Sequence, residues 1–170
     1  FLTVNGHKMS KSKGTFVKAS TYLNHLDPEH LRYYYASKLT AGIDDIDMNL
    51  EDFVLKINSD LVGKLANLAL RSAPMLSKKL DGMLGTLDDE GKELIGKLTS
   101  AKDQIIKDFE ELNYAAAIRT IAALADDSNR YFDGKQPWVT IKTDAEGTRK
   151  TLTAVINAVK ILTIYLKAVL

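Results

Sequence analysis

The stretch HKMSKSKG, from His7 to Gly14, sets Lys8, Lys11 and Lys13 among Ser10, Ser12 and a closing glycine. A lysine ammonium is a point charge on a flexible stem that reaches phosphate oxygens. Small neighbours let the backbone bend close to a ligand and add hydroxyl and amide donors. A loop of this composition can close onto a triphosphate and stabilise charge developing during phosphoryl or adenylyl transfer. On lysine count alone, a solvated basic loop is the simpler account.

A second group lies further along. Asn67 and Arg71 are four apart, so they share a face of any helix that contains them. The same spacing puts Asp60, Gly63 and Lys64 on that face, opposite an apolar stripe of Phe53, Ile57, Leu61, Leu65 and Leu68. Trp138, the single tryptophan, follows Pro137. An exposed indole held by a rigid loop is a stacking platform for a splayed-out base, worth about 1–3 kcal/mol per base. Asparagine and arginine carry the donors and acceptors that read base edges. A core anchor for Trp138 and a solvated helix face for Asn67 and Arg71 are the plainer alternatives.

Other chemistries find no support. His7, His25 and His30 have no HExxH spacing, and the chain contains no cysteine, so neither a zinc site nor a disulfide is expected. No GxxxxGK[ST] or GxGxxG loop offers self-contained nucleotide binding, and no GxSxG elbow offers a hydrolase serine.

The net charge of +1 hides a polarised distribution. Residues 1–20 carry Lys8, Lys11, Lys13 and Lys18 without an acid, while Asp44, Asp45, Asp47, Glu51 and Asp52 crowd the segment after Ile43. One basic end on a near-neutral chain points to a local anion site rather than a surface coated with nucleic acid. No apolar run reaches the roughly 18 residues that span a bilayer, and no signal-peptide layout opens the chain. The absence of cysteine suits a reducing compartment, and a cytoplasmic location is expected. The opening FLTVNG has neither an initiator methionine nor a helix cap, as expected of a piece of a longer protein.

The elements that must position these groups are mostly helices. FLTV reads as a strand, NG as a turn and TFVKA as a second strand, so that a hairpin-like element flanks the lysine loop. Ser20 is expected to cap a first helix, and Asp27-Pro28 to restart one through EHLRYYYASKL up to Gly42. Three consecutive tyrosines, Tyr33 to Tyr35, point in three directions, so some belong to a core. Asn49, with Asp52 three residues on, resembles a capping box and opens a long helix ending near Pro74. After the loop DGMLGTLDDEG come a helix through Phe109, a break near Asn113 and a helix from Tyr114 to about Tyr131 ended by DGKQPW. A last helix runs from about Glu146 to Leu170. The pattern predicts a mainly all-α fold, an antiparallel helix bundle preceded by the short β-hairpin-like strip.

Order, rather than charge, decides the reading of the lysine loop. KMSKS, Lys8 to Ser12, matches the second signature motif of class I aminoacyl-tRNA synthetases. KMSKSKGTFV, LRYYY, DDIDMNLEDF, ANLALR and NRYFDGKQPW, in that order and across nearly the whole chain, resemble the methionyl-tRNA synthetase family. The resemblance implies a fragment of a methionine–tRNA ligase, with residues 1–48 the end of the catalytic domain and 49–170 the class Ia anticodon-binding domain. It implies that Lys8 and Lys11 contact the phosphates of ATP, which comes with Mg2+, and that Lys11 is the stronger stabiliser of the transition state. Ser10 and Ser12 support the loop, and Lys13 is an ordinary charge. Asn67, Arg71, Pro137 and Trp138 are expected at the CAU anticodon of tRNA(Met), and Asn129 either there or orienting the loop. Asp126 and Asp133 fit either repulsion of wrong anticodons or helix-end acids. The acidic DDIDMN joins the two parts and caps the long helix.

The family's His-x-Gly-His motif and methionine pocket are absent. ATP and methionine are therefore expected to be handled jointly with a missing N-terminal catalytic domain. No activation by the isolated chain and no tightly bound cofactor are expected. A stand-alone RNA-binding helical module without catalysis is the alternative.

Overall fold

A computed structural model describes residues 2–170, and Phe1, the first residue of the expected opening strand, lies outside the described residues. Strand β1, Leu2–Val4, turns through Asn5-Gly6 into β2, His7–Lys8. Both turn residues have positive φ, 48° and 75°. That is the backbone a two-residue hairpin loop requires, and Asn-Gly adopts it cheaply. The strands therefore flank NG and not the lysine loop. The expected strand TFVKA is irregular backbone from Thr15 to Lys18 instead, with Ala19 already helical, because β1 already has β2 on one side and β3, Ile46–Met48, in parallel register on the other.

Helix α1, Ala19–Leu23, starts one residue before Ser20, with Lys18 in the cap position and no side-chain capping bond. Ser20 therefore lies inside the helix. Helix α2, Pro28–Ala36, begins on its proline as expected, although Asp27 makes no side-chain capping bond. Of the tyrosines, Tyr33 and Tyr34 are buried and Tyr35 is half-buried. The acidic segment becomes β3 plus a cap, in which Asn49 accepts the Asp52 amide at 2.9 Å and opens α3, Leu50–Lys56. Asp47 accepts from the Thr3 hydroxyl at 2.6 Å and the Gly6 amide at 2.8 Å. Those bonds, the Thr3 hydroxyl foremost, hold its pKa below the usual carboxylate range.

From α3 the long helix passes into a ten-residue π-helical segment, Ile57–Ala66, and then into α4, Asn67–Lys79. A Cβ on Gly63 would sit 3.1 Å from the Asn58 carbonyl, so glycine accommodates the widened turns. The π segment alters which residues share a face. Asp60, expected on the exposed face with Asn67 and Arg71, is buried instead and accepts from the Tyr33 hydroxyl at 2.9 Å. Burial, then the Asp60 charge, raises the Tyr33 pKa well above that of an ordinary phenol. Pro74 does not end the helix. It is exposed, and the carbonyl it cannot serve belongs to Leu70, itself largely exposed, so water can satisfy it.

Helices α5, Asp89–Ser100, and α6, Lys102–Glu110, are separated by a turn at Ala101, where a single helix was expected. Helix α7, Tyr114–Lys135, runs a turn past Tyr131. Helix α8, Pro137–Thr140, turns what was expected to be loop into a short helix, and α9, Ala145–Leu166, follows. Helix α9 is the hub of the bundle, packing on α4, α5, α7 and α8. Its Leu152, Ala154, Val155, Ala158 and Leu162 are fully buried. Burying a leucine or valine of this kind contributes about 1.5–3 kcal/mol. One apolar cluster joins Tyr22, Tyr34 and Met48 of the N-terminal strip to Phe53, Leu98, Ile118 and Leu162 of the bundle. A second, of Leu68, Leu76, Leu80, Phe132, Leu152 and Val155, lies beneath the surface that carries Arg71 and Trp138. Among the described residues, no helix is long and apolar enough to cross a membrane.

Candidate phosphate loop and nucleic-acid interface

The lysine loop leaves β2 at Lys8 and returns at Thr15. The Thr15 amide donates to the Ser10 carbonyl at 3.1 Å, and Gly14, at φ 69°, reverses the chain where a Cβ would be strained. The hydroxyls of Ser10 and Ser12 lie 3.1 Å apart. An open cleft of about 320 Å3 is lined by His7, Lys8, Met9, Ser10, Lys13 and Thr15. Lys8, Ser10 and Lys13 thus face one space, while Lys11 holds its ammonium over the Phe16 ring at 5.5 Å and Ser12 stands outside the lining. Among the described residues, no carboxylate lies within 4.0 Å of Lys8, Lys11 or Lys13. The cleft is a cationic site of two lysine ammonium groups, Lys8 and Lys13, with hydroxyl and amide donors and Lys11 close by, and this donor set fits phosphate oxygens. Its lining holds no carboxylate, and no group of three His, Asp or Glu able to hold a metal occurs among the described residues.

The second site is built on rigid helices. Gln136, at φ 44° and ψ 56°, ends α7 in the left-handed region, and Pro137 starts α8 directly after it. This corner buries Pro137 and sets Trp138 against Phe132, with ring centroids 5.6 Å apart. Phe132 is fully buried while Trp138 remains 41% exposed, so the indole is anchored yet partly accessible. Arg71 reaches across from α4. Its guanidinium carbon lies 4.6 Å from the Phe132 centroid and 5.3 Å from that of Trp138, and one nitrogen donates to Asp133 at 2.7 Å. Asn67, one turn before Arg71, is exposed with no side-chain partner among the described residues.

The structure brings Arg71 and Trp138 together, with Asn67 one turn away on the α4 face that carries Arg71 and Pro137 buried beneath the corner. Asn129 is half-buried, and its amide nitrogen donates to the carbonyls of Lys64 and Ala125, both at 2.9 Å. It therefore ties α7 to the π segment, leaving its side-chain oxygen for other partners. Asp126 pairs with Lys64 at 2.8 Å and Asp133 with Arg71, so neither is a free helix-end acid.

Sequence reasoning missed part of this surface. A cleft of about 510 Å3 is lined by Arg71, Pro74, Met75, Lys78, Lys79, Trp138, Ile141 and Lys142, giving an apolar floor with a cationic rim. Met75 and Lys78 continue the Asn67–Arg71 face at helical spacing, and that periodicity could have pointed to them. Lys142 had no such signal, because only the α8 corner brings it there.

Comparison with known proteins fits both sites. The profile for class I tRNA synthetases of the methionine type matches residues 1–73, and that for the anticodon-binding domain of methionyl-tRNA ligase matches residues 82–169. The methionine–tRNA ligase of Bdellovibrio bacteriovorus is 53% identical over 169 residues, covering 99% of this chain and 25% of that protein. The structure of Mycobacterium tuberculosis methionyl-tRNA synthetase with methionyl-adenylate superposes with a TM-score of 0.89 at 30% identity, covering 99% of this chain and 34% of that one. The free form of that enzyme gives 0.79 at 27% identity, over 90% and 32%. The strip with its lysine loop, leading into a helix bundle, is the architecture of a class I aminoacyl-tRNA synthetase. Within that class, the chain belongs to the methionyl-tRNA ligase family, and it spans a quarter to a third of the length of these relatives.

Proposed function

We propose that this chain serves a methionine–tRNA ligase in two ways: it supplies the mobile phosphate clamp for ATP and the surface that reads the anticodon of tRNA(Met). Residues 1–48 form the end of the catalytic domain and 49–170 the anticodon-binding domain. The carrying observation is the cluster of Phe132, Arg71 and Trp138. A buried ring underlies a guanidinium and lies tilted against an indole that remains partly exposed, with a cationic rim next to it. A base stacked on Trp138 would place its edge near Asn67 and Arg71, while Lys78, Lys79 and Lys142 take phosphates. Pro137 fixes the indole and Asn129 locks the two helices that frame the site.

At the other end, Lys8 and Lys11 hold the phosphates of ATP with Ser10 and Ser12 supporting them. Catalysis there is electrostatic and positional, needing no nucleophile from this chain. ATP is the substrate and brings Mg2+ on its phosphates; the carboxylate-free cleft suits the phosphates and not the metal. Methionine is bound by parts of the ligase outside this chain, so the chain alone activates no amino acid. The cytoplasm, where protein synthesis takes place, is the compartment we assign.

The test is Trp138→Ala in this chain, measured by binding to anticodon stem-loops with CAU and with an altered anticodon. The expected result is loss of the preference for CAU and about a 5- to 150-fold loss of affinity. Unchanged binding would make Trp138 a core anchor and remove the main support for the reading.

A further inference from the structure

Three hydrogen bonds of the lysine loop converge on one residue that the sequence reading left out. The Thr15 hydroxyl accepts the Ser10 amide at 3.0 Å and donates to the Lys8 carbonyl at 2.9 Å, while the Thr15 amide donates to the Ser10 carbonyl at 3.1 Å. A threonine hydroxyl can donate and accept at once, and here it does both to backbone on the far side of the loop. The residues so tied, Lys8 and Ser10, both face the cleft, as does Lys13, and Thr15 itself lines it. Lys11 to Gly14 form the tip, where the Gly14 amide donates to the Lys11 carbonyl at 3.4 Å and Gly14 supplies the reversal. The rest of the N-terminal strip is fastened by other bonds, through Asp47 to Thr3 and Gly6 and through Asn5 to Leu50.

From this we infer that Thr15 is a positioning residue for adenylate formation. Its side chain closes the base of the loop, so that Lys8 is presented to phosphate and Lys11 swings from a fixed pivot. It acts through the two lysines and touches no reacting atom. The inference rests on the phosphate-clamp reading and names the residue that pre-organises it. Valine has the shape of threonine without the hydroxyl, so Thr15→Val removes both side-chain bonds and leaves the backbone bond. Serine keeps the hydroxyl, so Thr15→Ser retains them.

The experiment is ATP–pyrophosphate exchange by the full-length ligase that contains this chain, with equilibrium methionine binding and thermal unfolding measured alongside. Thr15→Val is expected to lower kcat and raise KM for ATP, with kcat/KM for ATP falling about 10- to 100-fold for two lost hydrogen bonds. Methionine affinity and the unfolding midpoint stay unchanged, and Thr15→Ser recovers most of the rate. Exchange by Thr15→Val within twofold of the parent overturns the inference. So does a rate lost together with methionine binding, or one that serine does not recover, since both describe a folding role. Lys11→Ala separates the two levels. Full exchange by Lys11→Ala sinks the clamp itself, whereas an inactive Lys11→Ala beside a normal Thr15→Val sinks only the role of Thr15.

Discussion

The two ends of this molecule hold cationic groups in opposite ways. At the lysine loop, Lys8 ends strand β2 and Lys11 and Lys13 project from the turn after it, tied by short-range bonds and by one contact of Lys11 with the exposed Phe16 ring. At the bundle, Arg71 lies on a fully buried phenylalanine and pairs with Asp133, and its helix packs on α9. The first arrangement leaves charge free to move toward an incoming anion. The second fixes donors and rings before any ligand arrives, which lowers the entropy cost of recognition. A loop that closes over phosphates in a reaction has to move; a surface that discriminates between bases gains from standing still.

The largest expected effect comes from removing the support of the rigid site. Phe132→Ala opens a cavity beneath both Arg71 and Trp138 and is expected to cost about 3–5 kcal/mol of stability. The gentler Phe132→Leu is expected to cost about 1–2 kcal/mol and to weaken RNA binding more than its stability loss explains. Denaturant unfolding and stem-loop binding measured together check this, and RNA affinity untouched by Phe132→Leu would break the contrast.

At the mobile end, Gly14→Ala forces a side chain into left-handed backbone and is expected to cost about 1–2 kcal/mol locally. Hydrogen exchange at residues 8–15 of this chain should rise while stem-loop affinity stays the same. A fall in RNA binding would show the two ends to be coupled more tightly than the structure suggests.

What could be read from sequence divides along the same line. Asn49 and Pro28 announce helix starts because capping is a local matter of a few residues. The order KMSKS and the Asn67–Arg71 spacing were legible for the same reason. Asp60 was placed on the wrong face, because a π segment shifts the phase of a helix and no apolar period reveals it. Thr15 was invisible, since its importance lies in bonds across the loop and not in its type. Pro74 misled because proline on the exposed face of a helix loses only one bond, which water replaces. Lys142 came to the site through the Gln136–Pro137 corner, a tertiary event.

Smaller effects concern charge. Asp133→Asn should change stability by no more than about 1 kcal/mol, as for other exposed ion pairs, and leave Arg71 on its rings. If Arg71 instead detaches, seen as a loss of RNA affinity matching that of Arg71→Ala, then the ion pair and not the stack holds it. Asp47 and Asp52 have pKa values held below the ordinary range, Asp47 by Thr3 and Gly6, Asp52 chiefly by its bond from Lys38. A depressed folded pKa contributes stability above the unfolded value, near 4, and loses it as pH falls through the folded one. Acid titration below about pH 4 should therefore loosen the β1–β3 contacts and the α2–α3 junction. Amide exchange in residues 2–8 and 46–52 that is unchanged from pH 5 to pH 2.5 would contradict that.

We have proposed that the helical end of this chain reads an anticodon. The most direct measurement is the affinity of the unmodified chain for two stem-loops that differ only in the anticodon, CAU against one with its first base changed, at a fixed salt concentration. Tighter binding of CAU by about tenfold or more is expected, since a mismatched base costs about 1–3 kcal/mol at a site with direct contacts. Equal affinity for both would mean that the basic rim binds RNA without reading it.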